Sequence, residues 1–197
     1  MPALSRIAAP LAAVLLLAAC KPSTFAGPSP APSEISTGKA GLVHVHDPGK
    51  VTYSISPHSC HARGSGTRLL PDRHCTPGAV DPAVTSATLD RTICRTGYTK
   101  TVRPPVDQTE PAKHRMYKAY GIPESTTSEL DHLVPLELGG SNDITNLWIE
   151  TGEQPNPKDR VENDLRRAVC DHRVSLTDAQ AAIAIDWTTA ENRLNVG

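Results

Sequence analysis

Asp131-His132, the Gly139-Gly140 pair and Asn146 stand close together in the segment running from Glu129 to Trp148. Their types match what cleavage of a phosphodiester requires. That reaction needs a base to deprotonate water, a cation to neutralise charge building on the phosphorane and the leaving oxygen, and a group that keeps the base in one tautomer. His132, with an ordinary pKa of about 6.5, can serve as the base at neutral pH. Asp131 adds a carboxylate beside it, and Asn146 a side-chain amide that leads the second apolar run. An Asp-His pair on a strand is more often structural than catalytic; the ordered Gly-Gly and Asn-Leu context around it makes this segment distinctive.

The elements that must position these residues follow from pattern. Leu130 to Leu138 reads as a strand and turn, Gly139-Gly140 permits a tight reversal, and Asn146-Leu147-Trp148-Ile149 reads as a second strand. Asn156 is a good N-cap and Pro157 a good first helical residue for a helix reaching Cys170. Val161, Leu165, Ala168 and Val169 form its buried stripe, while Asp159, Glu162, Asn163 and Arg166 share another face. The order is β, β, α. Asp131 and His132, as neighbours on a strand, point to opposite sides in ideal geometry.

Asp131-His132, Pro135-Leu136, Gly139-Gly140 and Asn146-Leu147 together resemble the signature of HNH endonucleases, which share a ββα-metal fold with colicin-type DNases. The resemblance covers residues 129–165. Thr92-Ile93-Cys94, Lys158-Asp159 and Val169-Cys170 also look like small exported bacterial proteins grouped with these nucleases. It implies His132 as general base, Asp131 on the metal through a twisted or bulged strand, and Asn146 orienting His132 across the two strands. The chain departs from the family in lacking the Cys-x-x-Cys zinc knuckle. Asp159 and Glu162 are therefore taken as helix-borne metal ligands by their position in the ββα order, with no matched motif residue. Oxygen ligands suit Mg²⁺ best, with Mn²⁺ or Ca²⁺ tolerable.

The net charge of −1 over 197 residues hides a local asymmetry. Between Arg91 and Lys118 seven basic residues, Arg103 among them, face only Asp107 and Glu110, with Tyr98 and Tyr117 interleaved. From Gly121 to Asp164 ten acidic residues face only Lys158 and Arg160. A basic stretch leading into an acidic one suits a phosphate-binding surface beside a cation site. Arg103, Lys158 and Arg160 are the expected phosphate contacts; Arg166 and Arg167 share the same helix and either bind flanking phosphates or are surface charges, Glu162–Arg166 having the spacing of a helix i,i+4 pair. The bland alternative is an ordinary solvated face of alternating charge.

Residues 1–19 read as a secretion signal, with Arg6 in a basic n-region and a short apolar run too brief to span a membrane. Leu17-Ala18-Ala19-Cys20 resembles a bacterial lipobox, which implies acylation of Cys20 and anchoring to the cell envelope. Residues 20–41, rich in Pro, Ser and Ala, read as a tether. That leaves 42–197 as the folded domain, with its core at 129–170.

One Phe and two Trp give that domain a thin aromatic core. The four remaining cysteines, Cys60, Cys75, Cys94 and Cys170, suggest two disulfides in an exported chain. Three pairings are open, and Cys60–Cys75 with Cys94–Cys170 is favoured. A zinc site built from His58, Cys60, His61, His74 and Cys75 competes with this, but the spacing is wrong for zinc.

A β-hairpin is expected at Leu42–His46 and Val51–Ser56, with His44 and His46 on its solvated face. Residues 57–90 should be mostly loop, Lys113–Tyr120 a short helix, and a last helix should start near Thr177. The expected class is α+β: an HNH-like ββα core with an N-terminal hairpin, C-terminal helices and disulfides. The expected activity is metal-dependent cleavage of DNA, or of RNA, with little sequence preference, since no base-reading module is evident. No protein partner is expected. The competing readings are an inactive envelope-binding lipoprotein on the same scaffold, and a secreted antibacterial nuclease toxin.

Overall fold

The structure, a computed structural model, describes residues 36–37, 41–44 and 55–197. The signal segment, Cys20 and nearly all of the tether lie outside the described residues, as do residues 45–54, which hold the turn and most of the second strand of the expected hairpin. Val43–His44 (β2) is a strand. Its described partners are Ser36–Thr37 (β1), antiparallel, and Ala79–Val80 (β3), parallel.

The architecture is α+β, with two small sheets, five α-helices and two disulfides among the described residues. After β3 the chain forms a 3-10 turn at Ser86–Arg91, then Tyr98–Val102 (α1) and Val106–Tyr120 (α2). The second sheet pairs Ser128–His132 (β4) antiparallel with Leu147–Thr151 (β5). Pro157–Cys170 (α3), Leu176–Asp186 (α4) and Ala190–Leu194 (α5) complete the chain. Strand, strand and helix therefore follow in the expected order.

α2 is longer than expected and begins seven residues ahead of Lys113, running through Pro111. Its first turns are exposed, Val106 at 70 %, so no apolar stripe marks them in the sequence. It stops at Gly121, whose φ of 63° takes the left-handed conformation that ends helices. Met116, Tyr117 and Tyr120 then pack with Ile144, Leu147 and Ile149 in one apolar cluster. A larger cluster joins α3 to α4 through Val161, Leu165, Val169, Ile183 and Trp187, with Leu133, Val134 and Leu138 from the loop between β4 and β5. That loop is thus wedged between the two cores, and the ends of β4 and β5 are fixed by both.

The disulfides are Cys60–Cys75 and Cys94–Cys170, the favoured pairing. The first staples the loop-rich 57–77 region. The second ties the segment after the 3-10 turn to the last residue of α3.

Candidate functional site

The Gly-Gly turn is a matter of space. A Cβ on Gly140 would lie 1.8 Å from the Val134 carbonyl oxygen, and one on Gly139, at φ 74°, would lie 2.6 Å from the Val84 side chain. Only glycine lets the loop fold back this tightly. Its buried backbone groups are then satisfied by Asn146, which is itself fully buried. The Asn146 amide accepts from Val134 N and Ala79 N at 2.9 and 3.2 Å, and donates to Val134 O and Ser141 O at 2.8 Å each.

All four interactions of Asn146 go to backbone, and none to His132. The expectation that Asn146 orients His132 is therefore corrected, and the reason is physical: a buried loop with stranded peptide groups claims the amide first. Asn142, four residues earlier, holds His132 instead, with its Oδ1 2.8 Å from His132 Nε2. The Asn142 Nδ2 donates to Val102 O at 2.9 Å, at the end of α1. Because a carbonyl can only accept, this bond fixes which way the amide points, and Nε2 must carry the proton. Nδ1 is left with its lone pair. It has no hydrogen-bond partner among the described residues, and unlike the buried, unpartnered Glu137 Oε2 it is not sealed from solvent. Burial pushes the His132 pKa down to about 4, outweighing the Asn142 hydrogen bond and the Asp131 charge, with Arg103 and Lys158 adding to the fall. The ring is neutral at neutral pH and presents Nδ1 as a base.

The β4–β5 ladder runs unbroken from Ser128↔Thr151 to His132↔Leu147. The bulge that the resemblance implied at Asp131 is therefore absent, and Asp131 and His132 belong to opposite sheet faces. They still line one recess of about 100 Å³, because four successive β4 residues, Glu129 to His132, form its wall along the strand edge that β5 leaves open. Arg103, Glu137, Asp159 and Glu162 line the same recess.

On the Asp131 face the register sets Glu129 opposite Glu150 and Asp131 opposite Trp148. The start of α3 closes over these residues. Asn156 caps the helix, accepting from Lys158 N and Asp159 N, and its Nδ2 donates to Glu129 Oε1 and Glu150 Oε2 at 2.8 Å each. Lys158 is fully buried. Its Nζ pairs with Asp131 Oδ2 at 2.8 Å and with Glu162 Oε1, and donates to His132 O at 2.7 Å. Trp148 Nε1 also donates to Asp131 Oδ2, at 2.8 Å.

A lysine in the first turn of a helix opposes the dipole, and burying it adds a desolvation cost. Burial alone would drive the ammonium neutral, yet the charges of Asp131, Glu162 and Glu150 more than offset this and raise its pKa. The expectation of Lys158 as a phosphate contact is corrected: no surface phosphate reaches it. Arg160 is exposed, but its guanidinium is engaged by Glu191, at 2.6 Å, and by Asp164. It too falls short of a free phosphate contact. Arg103 alone of the three lines the His132 recess.

Of the expected metal ligands, Asp131 and Glu162 meet on the Lys158 ammonium. Asp159 lines the recess but spends Oδ2 on the Asn156 N–H, 3.0 Å away, as part of the helix cap. Among the described residues, Glu129, Asp131 and Glu150 form a group of three acids whose ligand atoms all lie within 4.8 Å of one another. Glu129 and Glu150 were not singled out from sequence. The signal was the alternation Glu129-x-Asp131 together with an acid at 150, but only the strand register reveals that they are opposite.

Burial, then the Asp131 charge, pushes the Glu150 carboxyl up to about 8. Burial and Asp131 likewise raise Glu162 to about 7 against the pull of Lys158. Four acids thus surround one ammonium and one amide, Asp131 and Glu162 on Lys158 and Glu129 and Glu150 on Asn156, a set of hard oxygen donors. Such a donor set fits Mg²⁺, Mn²⁺ or Ca²⁺ and is unsuited to zinc. A larger cavity of about 610 Å³ lies elsewhere, against His172, Arg173 and Gln180, and holds none of these groups.

No protein-family model matches the chain, and neither a curated protein nor a solved structure matches it. Among the described residues no helix is long and apolar enough to cross a membrane.

Proposed function

We propose that the chain is a metal-dependent endonuclease of the HNH class, hydrolysing phosphodiester bonds of DNA, with RNA as the other substrate its chemistry allows. The observation that carries this is His132: a neutral imidazole with its tautomer fixed through Asn142 and Val102 and Nδ1 left free, on a residue that lines one recess with Asp131, Glu162 and Arg103. In this reading His132 Nδ1 takes the proton of the attacking water, and Asn142 holds Nε2–H throughout. Asp131, with Glu129, Glu150 or Glu162 beside it, would hold the divalent ion. A bound Mg²⁺ supplies charge neutralisation at the phosphorane and the leaving oxygen. Arg103 adds a cation to a non-bridging phosphate oxygen. The absence of a base-reading element among the described residues supports little sequence preference.

The two disulfides support an oxidising compartment. With the lipobox-like Leu17-Ala18-Ala19-Cys20, they support export and a lipid anchor on the cell envelope. Supercoiled plasmid incubated with the protein should be nicked in Mg²⁺ and left intact in EDTA, read on an agarose gel; cleavage that persists in EDTA contradicts the metal.

One observation favours a second reading. The Lys158 ammonium already bridges Asp131 and Glu162, as in a scaffold that keeps the fold and binds an envelope component without catalysis. That reading expects no nicking in any of Mg²⁺, Mn²⁺ or Ca²⁺.

A further inference from the structure

The His132 recess continues on both sides. On one side it shares Arg103, Leu130 and His132 with a recess of about 200 Å³ that adds Lys113. On the other, Glu137 is a common wall with a recess of about 250 Å³ holding Arg95, Thr96, Thr99 and Arg166. Carboxylates dominate the middle, while Arg103 and Lys113 outnumber Glu110 in one neighbouring recess and Arg95 and Arg166 outnumber Glu137 in the other.

The far pair of guanidiniums is set apart by what holds it. On α3, Lys158 is paired with Asp131 and Glu162, Arg160 with Asp164 and Glu191, and Arg167 with Asp164. Arg166, on the same helix, has no carboxylate within ion-pair distance among the described residues. Its Nε donates to Ile93 O at 2.8 Å, which fixes the side chain; among the described residues neither terminal nitrogen has a protein partner. Arg95, on the same recess, likewise has no carboxylate within ion-pair distance among the described residues. A partly buried guanidinium held by its stem, with its fork free, is arranged for bidentate contact with an oxyanion. The single carboxylate of Glu137 is outnumbered by the two.

We propose that the Arg95–Arg166 recess is a second phosphate subsite. It takes a backbone phosphate of the nucleic-acid strand whose scissile phosphate lies at His132, while Arg103 and Lys113 hold the strand on the opposite flank. The subsite rests on the nuclease reading of the His132 recess. An acidic centre repels a polyanion, so binding must come from cations on either side of it.

The test is fluorescence anisotropy with a labelled DNA duplex, in Mg²⁺, using the full chain carrying His132→Ala so that the probe survives. Arg95→Ala and Arg166→Ala, singly and together, are compared with Arg193→Ala, which removes the same charge from α5. Each arginine of the subsite should weaken binding by roughly three- to ten-fold and lower the slope of log K against log salt by about 1. Arg193→Ala should leave both unchanged. Arg166→Ala also loses the bond to Ile93, so Arg95→Ala, which removes no side-chain hydrogen bond among the described residues, decides the matter if the other variant does not fold.

Unchanged affinity and slope in Arg95→Ala overturn the subsite, even where the wild type nicks plasmid. Weakened binding alongside a wild type that never nicks plasmid keeps the subsite and overturns the nuclease. A duplex that binds no form of the protein overturns both.

Discussion

His132 carries two commitments at once: it is kept neutral by burial, and one of its nitrogens is spent on Asn142. The first has a consequence for stability with a definite sign. The folded pKa, about 4, lies below the unfolded value near 6.5. Between those values the unfolded chain binds the extra proton, so the contribution of the neutral ring is full above about pH 6.5 and is lost as pH falls toward 4. Glu150 and Glu162, with raised values, act in the opposite sense as pH falls. The effect is therefore read as a difference: the urea midpoint of the wild type should fall relative to that of His132→Gln between pH 6.5 and 4, and a constant difference would contradict the buried neutral ring. The second commitment predicts that Asn142→Ala slows plasmid nicking by about 10–100-fold with little loss of fold, because the tautomer is no longer held. From sequence His132 was legible by type as the candidate base, whereas the side chain that holds it was not. Two asparagines, Asn142 and Asn146, lay within reach, and which one faces His132 depends on where the buried loop needs donors.

The loop between β4 and β5 and the first turn of α3 are the elements that build the recess. Asn146 holds the loop by bonding four backbone groups from three chain segments. Asn146→Ala strands those groups, each costing about 1–3 kcal/mol when buried, so the variant should lose several kcal/mol in urea denaturation. A change within about 0.5 kcal/mol would contradict this structural role. The β, β, α order, the N-cap at Asn156 and the stripe on α3 were legible because each rests on local pattern. The burial of Lys158 was not: a lysine in a first helical turn beside acids reads as a surface residue. Only the closure of α3 over the Asp131 face of the β4–β5 sheet turns it into an internal counter-ion. The early start of α2 was hidden for the complementary reason, since its first turns bury little.

At the scale of the whole molecule, each of the two apolar clusters carries its own covalent link, Cys60–Cys75 at the α2–β5 cluster and Cys94–Cys170 at the α3–α4 cluster. Cys94–Cys170 spans 76 residues of sequence and Cys60–Cys75 spans 15. On the chain-entropy account the longer link contributes about 4.5 kcal/mol and the shorter about 3. Replacing Cys94 and Cys170 by serine should therefore lower stability more than replacing Cys60 and Cys75, with the order read from urea midpoints; the reverse order would show that the links act mainly through native-state contacts. The count of cysteines made two disulfides legible, and Arg166 was legible as one of several helix cations open to a phosphate; that it shares a recess with Arg95, from the basic stretch, was not, because only folding sets the two together. The central claim, that His132 is the base of a phosphodiester-cleaving site, is tested most directly by the rate of plasmid nicking in Mg²⁺ by the wild type and His132→Ala side by side. The account predicts nicking by the wild type and a loss of about 10²–10⁴-fold in the variant; equal nicking by both proteins, or none by either, would contradict it.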